Sequence, residues 1–248
     1  VSFAAMQALR TLGNWAQAER YLDHSNEKLR QAALVTLTGQ YDADAVEALS
    51  QTVAEAEHAD ARASAVAALA EVHRQADPYE SGWWGTQPAR NPPARPKKNE
   101  WSGTPVVMRT LMDALEQDTP EVRLAAATAF ATVEHEAALP VLRAMASEDE
   151  DAAVRRAAIE TLVTRRDEQT VPLLASVAAD TQLDDELRRE AVAGIMRIDS
   201  AEALGQLIEL IADQNTSPDL VVMCMEAVAK LESNQANDQI RTRLNDKD

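Results

Sequence analysis

One cysteine, Cys224, stands in 248 residues, so no disulfide can form within the chain. Set among apolar neighbours in VVMCMEAV, it reads as a buried core thiol, and cysteine usage leaves the compartment open. Aromatic residues are scarce at 4%, while Ala, Leu, Val, Glu and Arg dominate. That balance disfavours a sheet of β-branched and aromatic side chains and favours closely approaching helices. Positive charge is in deficit: 24 Lys and Arg face 41 Asp and Glu, a formal net charge of −17. Such a chain repels phosphate backbones and anionic lipid, so neither nucleic acid nor a membrane surface is an expected partner. No apolar run approaches the roughly 20 residues needed to span a bilayer.

The constellations of catalysis are missing as well. The four histidines, His24, His58, His73 and His135, are scattered, without HExxH or paired-ligand spacing. His58 follows Glu55 by three residues and reads as an exposed acid–imidazole pair on one helix. Neither a Gly-rich phosphate loop nor a nucleophile elbow occurs, and the acidic run SEDEDAA at 147–153 lacks the spacing and central Gly of a calcium loop. The expectation is a non-enzymatic chain with no metal and no cofactor. The chain starts at Val1 within a helical pattern, with no initiator Met and no signal-peptide pattern, and is expected to be a processed product or a piece of a longer protein.

What is present is an internal repeat, and 46% apolar content supplies its core. LRQAALVTL, ARASAVAAL, VRLAAATAF, VRRAAIETL and LRREAVAGI align without gaps from residues 29, 61, 122, 154 and 187. LVVMCMEAV continues the series at 220, and VSFAAMQAL at 1–9 is a truncated first copy. Apolar residues recur at i, i+4, i+5 and i+8, the face of a helix with small residues in its middle. A second amphipathic run lies between copies: NWAQAERYL, DAVEALSQTVAEA, PVVMRTLMDALEQ, AALPVLRAMAS, TVPLLASVAAD, AEALGQLIELIAD and NQANDQIRTRL. Pro near the helix starts in DTPE and TSPD, followed by acidic residues, fits the first turn of a helix. Each period is thus a helix pair too short to bury its own apolar stripe, so the pairs must stack. The expected fold is all-α, an α-solenoid of about seven helix pairs over residues 1–248, with one non-helical Pro- and Trp-rich insert at 76–104.

The pattern PEVRLAAATAF…ALPVLRAMASEDEDAAVRRAAIETL resembles HEAT-like repeats of the bacterial type, including those grouped with phycobilisome lyases. The resemblance covers nearly the whole chain apart from the insert. It implies that the Val-Arg helix is the second of each pair and lines the concave side, its Arg meeting polar groups of the next repeat. Carried onto this sequence, those residues are Arg30, Arg62, Arg123, Arg155 and Arg188, read as a structural ladder; Val221 takes the place of Arg in the last copy. The same resemblance makes bilin lyase-like activity a second alternative. The related alkylpurine glycosylases would need a basic concave surface for DNA, against which the net charge argues.

The single long interval, 61 residues between the copies at 61 and 122, is one period plus the insert. Over 76–103 four basic residues meet three acidic ones, a reversal of the balance elsewhere. Pro78, Pro88, Pro92, Pro93 and Pro96 forbid a regular helix. Trp83, Trp84 and Trp101 are the wrong residues for a solvated linker, so the insert is expected to be ordered, either glued to the solenoid flank or presenting rings to a partner. Tyr79, Trp83, Trp84, Arg90, Arg95, Lys97, Lys98 and Trp101 are the candidate binding residues, because Trp and Arg concentrate at interface hot spots.

The segment GWWGTQP…PP…WSGTP is also similar to a stretch in HEAT portions of large exported proteins of planctomycete and verrucomicrobial type, which join a propeller-like dehydrogenase region and a CxxCH haem module to such a solenoid. This chain has no CxxCH and cannot itself hold a c-type haem. The likeness implies the solenoid part of a larger redox or glycan-processing protein, exported or periplasmic, although composition equally allows the cytoplasm. The expected function is a scaffold binding a protein partner or a neighbouring domain of the same polypeptide through its concave helices and insert. The alternative occupant of the insert is a sugar or other small flat ligand stacked on the tryptophans.

Overall fold

The structure, a computed structural model, describes residues 3–77, 97–183 and 185–245, with side chains between Ala5 and Leu231 within those ranges. It is all-α. The helices are α1 (Phe3–Leu12), α2 (Trp15–Glu19), α3 (Glu27–Leu37), α4 (Ala43–Glu55), α5 (Ala59–Glu71), α6 (Thr104–Leu115), α7 (Pro120–Ala129), α8 (Ala138–Glu148), α9 (Ala152–Thr164), α10 (Val171–Ala179), α11 (Asp185–Ile198), α12 (Ala201–Ala212) and α13 (Pro218–Asn245). Among the described residues the only strands are β1 (Gln75–Ala76) and β2 (Lys98–Asn99).

The chain forms two compact units, Val1–Glu134 and His135–Asp248. In the first, α2/α3, α4/α5 and α6/α7 are hairpins; first helices pack on first helices (α2 on α4, α4 on α6) and second on second (α3 on α5, α5 on α7). The second unit repeats the scheme with α8/α9, α10/α11 and α12/α13, α10 lying on α12 and α11 on both α9 and α13. This is the solenoid stacking that the period predicts. The repeat copies at 29, 61, 122, 154, 187 and 220 all fall on second helices.

The small residue in the middle of each copy lets the helices approach. Ala33, Ala65, Ala126, Ala158 and Ala191 are all buried there, and Cys224 holds the same place in the last copy. Four residues on, Leu37, Leu69, Phe130, Leu162 and Ile195 fill the core. Burial pushes the Cys224 thiol up to about 11, so it stays protonated and inert at neutral pH. Side-chain caps set several helix starts: Asn26 accepts from Lys28 N, Asp42 from Asp44 N and Ala45 N, Asp151 from Ala153 N and Val154 N, Ser200 from Ala203 N.

Two details differ from the sequence expectation. NQANDQIRTRL does not form a helix of its own but continues α13, since no Gly or Pro interrupts the chain after Pro218. The first unit thus holds three described pairs preceded by α1, and the second unit three. NWAQAERYL yields only the five-residue α2 before the chain turns.

Candidate functional site

Two copies of the repeat, α5 and α7, lie side by side in the first unit, and the insert leaves the stack between them. Along their margin most of the facing side chains are small, Ala67 and Ala70 on α5 and Ala125, Thr128 and Ala129 on α7, with Leu124 beside them. The space left open is a cleft of about 860 Å³. Its polar rim is Glu71, His73, Arg74, Lys98, Thr132 and Glu134. Arg74 Nη1 approaches Glu134 Oε2 at 3.7 Å across the mouth, a half-exposed pair of small energetic weight.

His73 is the buried polar residue of this rim. Its Nδ1 lies 2.6 Å from the Ala70 carbonyl, which accepts the ring hydrogen and leaves Nε2 as an acceptor. Burial pushes its pKa below the usual histidine range and the charges of Arg74 and Lys98 act the same way, while the Ala70 carbonyl and Glu134 oppose them. The imidazole is therefore neutral at pH 7. The hydroxyls of Thr128 and Thr132 donate to Leu124 O and Ala129 O, which turns their lone pairs outward as acceptors.

The foot of the insert is fixed beside this cleft by two devices. β1 and β2 pair antiparallel, Gln75 with Asn99 and Ala76 with Lys98, and Asp77 N donates to Lys97 O at 2.9 Å. Asn99 Nδ2 also donates to Asp77 Oδ1. Trp101 then locks the return: its Nε1 donates to Val72 O at 2.7 Å, the carbonyl that ends α5, and its backbone N donates to Thr104 Oγ1, which itself donates to His73 O. The rings of Trp101 and Tyr41 meet in a T-shaped contact with centroids 5.6 Å apart, and Tyr41 donates its hydroxyl to Arg74 O. Gly103 is required beside it, because a Cβ there would come within 2.4 Å of the Trp101 ring.

Of the candidate binding residues, Lys97 and Lys98 are exposed on the stem, Lys98 on the rim of the cleft, while the Trp101 ring is half-buried with its N–H engaged. Tyr79, Trp83, Trp84, Arg90 and Arg95 lie outside the described residues. Glu71, His73, Arg74, Thr128, Thr132 and Glu134 were not singled out for binding from sequence. The signal that could have found them is the run of small residues at matching positions in the two copies that flank the insert.

The five arginines of the repeat turn toward backbone carbonyls at the turn within their own pair. Arg30 donates to His24 O at 2.8 Å, Arg123 to Gln117 O and Asp118 O at 2.9 Å each, and Arg155 to Asp149 O at 2.6 Å. Arg62 and Arg188 reach further back, to Val53 O and Ala178 O, both at 2.9 Å. Arg30 and Arg62 also touch the following copy: Arg30 pairs with Asp60 at 2.6 Å, and Arg62 donates to Thr119 Oγ1 and Gln117 Oε1. A guanidinium with five donors suits this task of satisfying the carbonyls left open at a helix end. Among the described residues no group of three or more His, Cys, Asp or Glu is placed to hold a metal ion, and no helix is long and apolar enough to cross a membrane.

Residues 108–186, from α6 to the start of α11, match the family model for HEAT repeats. Three solved structures are similar at a TM-score of 0.40 each. The complex of CpcE and CpcF of phycocyanin lyase from Nostoc is 19% identical over 88% of this chain and 94% of that one. Human deoxyhypusine hydroxylase, in complex with glycerol, is 19% identical over 93% and 90%. The Escherichia coli protein YibA is 14% identical over 92% and 96%. No curated protein matches the chain.

Proposed function

We propose that the chain is a non-catalytic protein-interaction scaffold whose recognition element is the cleft between α5 and α7 together with the clamped stem of the insert. The observation that carries this reading is the position of the cleft: about 860 Å³ of open space, floored by small side chains, where the otherwise regular stack releases its long insert. The HEAT repeats of residues 108–186 support it, because stacked helix pairs of that kind present extended surfaces to protein partners. A long connection held at both ends by a strand ladder and a tryptophan is the type of loop that carries recognition on a rigid support. No reaction and no cofactor are assigned.

A small ligand is the second reading, favoured by the cleft volume, which lies in the range of roughly 300–1,000 Å³ typical of small-molecule sites. Filling the cleft tests both. Thr128 is exposed on its α7 wall, so Thr128→Trp blocks the space without entering the core. In affinity capture from the source organism, the wild-type chain is expected to retain a protein that Thr128→Trp loses, with an unchanged melting temperature and an affinity that falls with salt. Equal capture by both would remove the cleft as the docking site. Loss of a salt-insensitive small molecule would favour the second reading.

A further inference from the structure

In a chain of 41 acidic and 24 basic residues, Arg74 and Lys98 stand on one cleft, where α5 gives way to the stem of the insert. The ladder brings them together, since it holds Lys98 opposite Ala76, just beyond Arg74. Neither cation is satisfied within the protein. The Lys98 ammonium makes no hydrogen bond or ion pair among the described residues. The Arg74 guanidinium makes only the 3.7 Å approach to Glu134, beyond hydrogen-bond distance. His73, buried at the same end of the cleft, keeps Nε2 without a partner among the described residues.

Behind this end the lining is apolar, with Ala67 and Ala70 of α5 and Leu124, Ala125 and Ala129 of α7. The wall from Ala67 to Arg74 is on the order of 10 Å long at the helical rise of about 1.5 Å per residue. An extended peptide advances about 3.3 Å per residue, so the cleft takes roughly three residues. Its volume of about 860 Å³ accommodates their side chains as well. Thr128 and Thr132, whose hydroxyls donate inward to Leu124 O and Ala129 O, offer acceptors to peptide N–H groups along the α7 wall.

We propose that the cleft receives the C-terminal residues of a partner protein in extended form, with the terminal α-carboxylate seated at Arg74 and Lys98. This rests on the reading of the cleft as a docking site and adds the chemistry of what docks there. Two unsatisfied cations at the end of an apolar cleft select a carboxylate: an ammonium would be repelled by both, and an internal peptide segment would leave their charge unanswered. Glu134 holds Arg74 only in a weak, exposed pair, which a better-seated carboxylate displaces. The net charge of −17 is screened beyond about 8 Å at physiological salt, so the contacts at the site decide. The charged groups facing His73 are Arg74, Lys98 and Glu134, with Glu71 on the same rim. An anion beside the two cations offsets their repulsion of a proton on His73, and protonation turns Nε2 into a further donor. Binding therefore tightens on acidification, over a range in which an α-carboxyl stays ionised.

The probe is a pool of N-terminally labelled pentapeptides with the last three positions randomised, made as free acids and as C-terminal amides and passed over the immobilised full chain. Free acids are expected to be retained at about pH 7.5 and more strongly at about pH 6, and the amides not at all. Lys98→Gln should weaken the retained free acids roughly tenfold or more, and Thr128→Trp should abolish their binding. Both side chains are exposed, so an unchanged melting temperature is the folding control. Equal retention of acids and amides, lost in Thr128→Trp, overturns the carboxylate proposal and leaves the cleft as a docking site for an internal segment. Retention that neither substitution reduces, or no retention of either form, also overturns it. Capture of a partner that Thr128→Trp loses would then still uphold the cleft as the docking site.

Discussion

Asp167 lies in the turn between α9 and α10 and is buried, where an unpaired carboxylate would be costly. Arg143 reaches across from α8 and donates Nε and Nη2 to its two oxygens, each at 2.8 Å, and Thr170 adds a hydroxyl at 2.7 Å. Burial alone would raise the Asp167 pKa, but the hydrogen bonds from Arg143 and Thr170 and the charge of Arg143 carry it below the usual carboxylate range. A depressed folded pKa gives stability that is complete above the unfolded value of about 3.9 and is lost as pH falls through the folded value. Asp60, held down by the hydrogen bond from Arg30, acts in the same direction. His73, whose pKa is also lowered, adds a separate loss that begins as pH drops through its unfolded value of about 6.5, because the unfolded chain then binds the proton more readily. The expected melting temperature thus falls in two stages on acidification. Asp167→Ala strands the Arg143 guanidinium and should cost roughly 3 kcal/mol at pH 7, while flattening the stage below pH 4 in urea unfolding measured across pH. An unchanged acid limb would show that Asp167 is not the group responsible. Little of this was legible in the sequence: the spacing of 24 residues between Arg143 and Asp167 belongs to the stacking of pairs and follows no local motif.

The helices were legible because a nine-residue pattern with fixed small and large positions recurs on every second helix, and Ala65 or Leu69 could be assigned to the core from it. The insert was legible only as an interruption. Its stem was not: β1 and β2 are two residues each, exposed, and carry no alternation that could announce a strand. Nor does composition show that Trp101 is the residue that closes the joint between α5 and α6. Its ring contact with Tyr41 and its bond to Val72 O tie together three elements, α5, α6 and the turn before α4. Trp101→Ala is therefore expected to lower stability by roughly 2–3 kcal/mol, less than a fully buried tryptophan, whereas Trp101→Phe keeps an aromatic ring and loses about 1 kcal/mol with the hydrogen bond. Amide exchange at Gln75 and Asn99 should accelerate in the first variant and stay slow in the second. Equal acceleration in both would place the closing force in the hydrogen bond alone. The cleft was harder to read for a related reason: it is made by what is missing from Ala67, Ala70 and Ala125, and only their matching positions in the two copies that flank the insert set them apart from alanines that pack.

At the scale of the whole molecule two electrostatic effects compete. The period reads through the chain at 32–33 residues outside the insert, and nothing in it marks the boundary between Glu134 and His135, because the copies at 122 and 154 keep the same interval. Charge, by contrast, is a property of the sum. The excess of 41 acidic over 24 basic residues makes the folded state repel itself, and added salt relieves that repulsion. Salt also weakens the exposed inter-copy pairs, Arg30–Asp60 and Arg189–Asp219, but such pairs are worth only about 0–1 kcal/mol each. The buried Arg143–Asp167 pair is screened much less. Repulsion among so many carboxylates should win. Raising ionic strength from about 10 mM to about 150 mM shortens the screening length from roughly 30 Å to roughly 8 Å, and the melting temperature at pH 7 is expected to rise by a few degrees. A fall would mean that the inter-copy ion pairs, and not the apolar positions of the repeat, hold neighbouring helices together. In that case substituting Asp60 and Asp219 by Asn should destabilise the chain far more at low salt than at high salt, an outcome that the apolar packing of Val192 at the α11/α13 joint argues against.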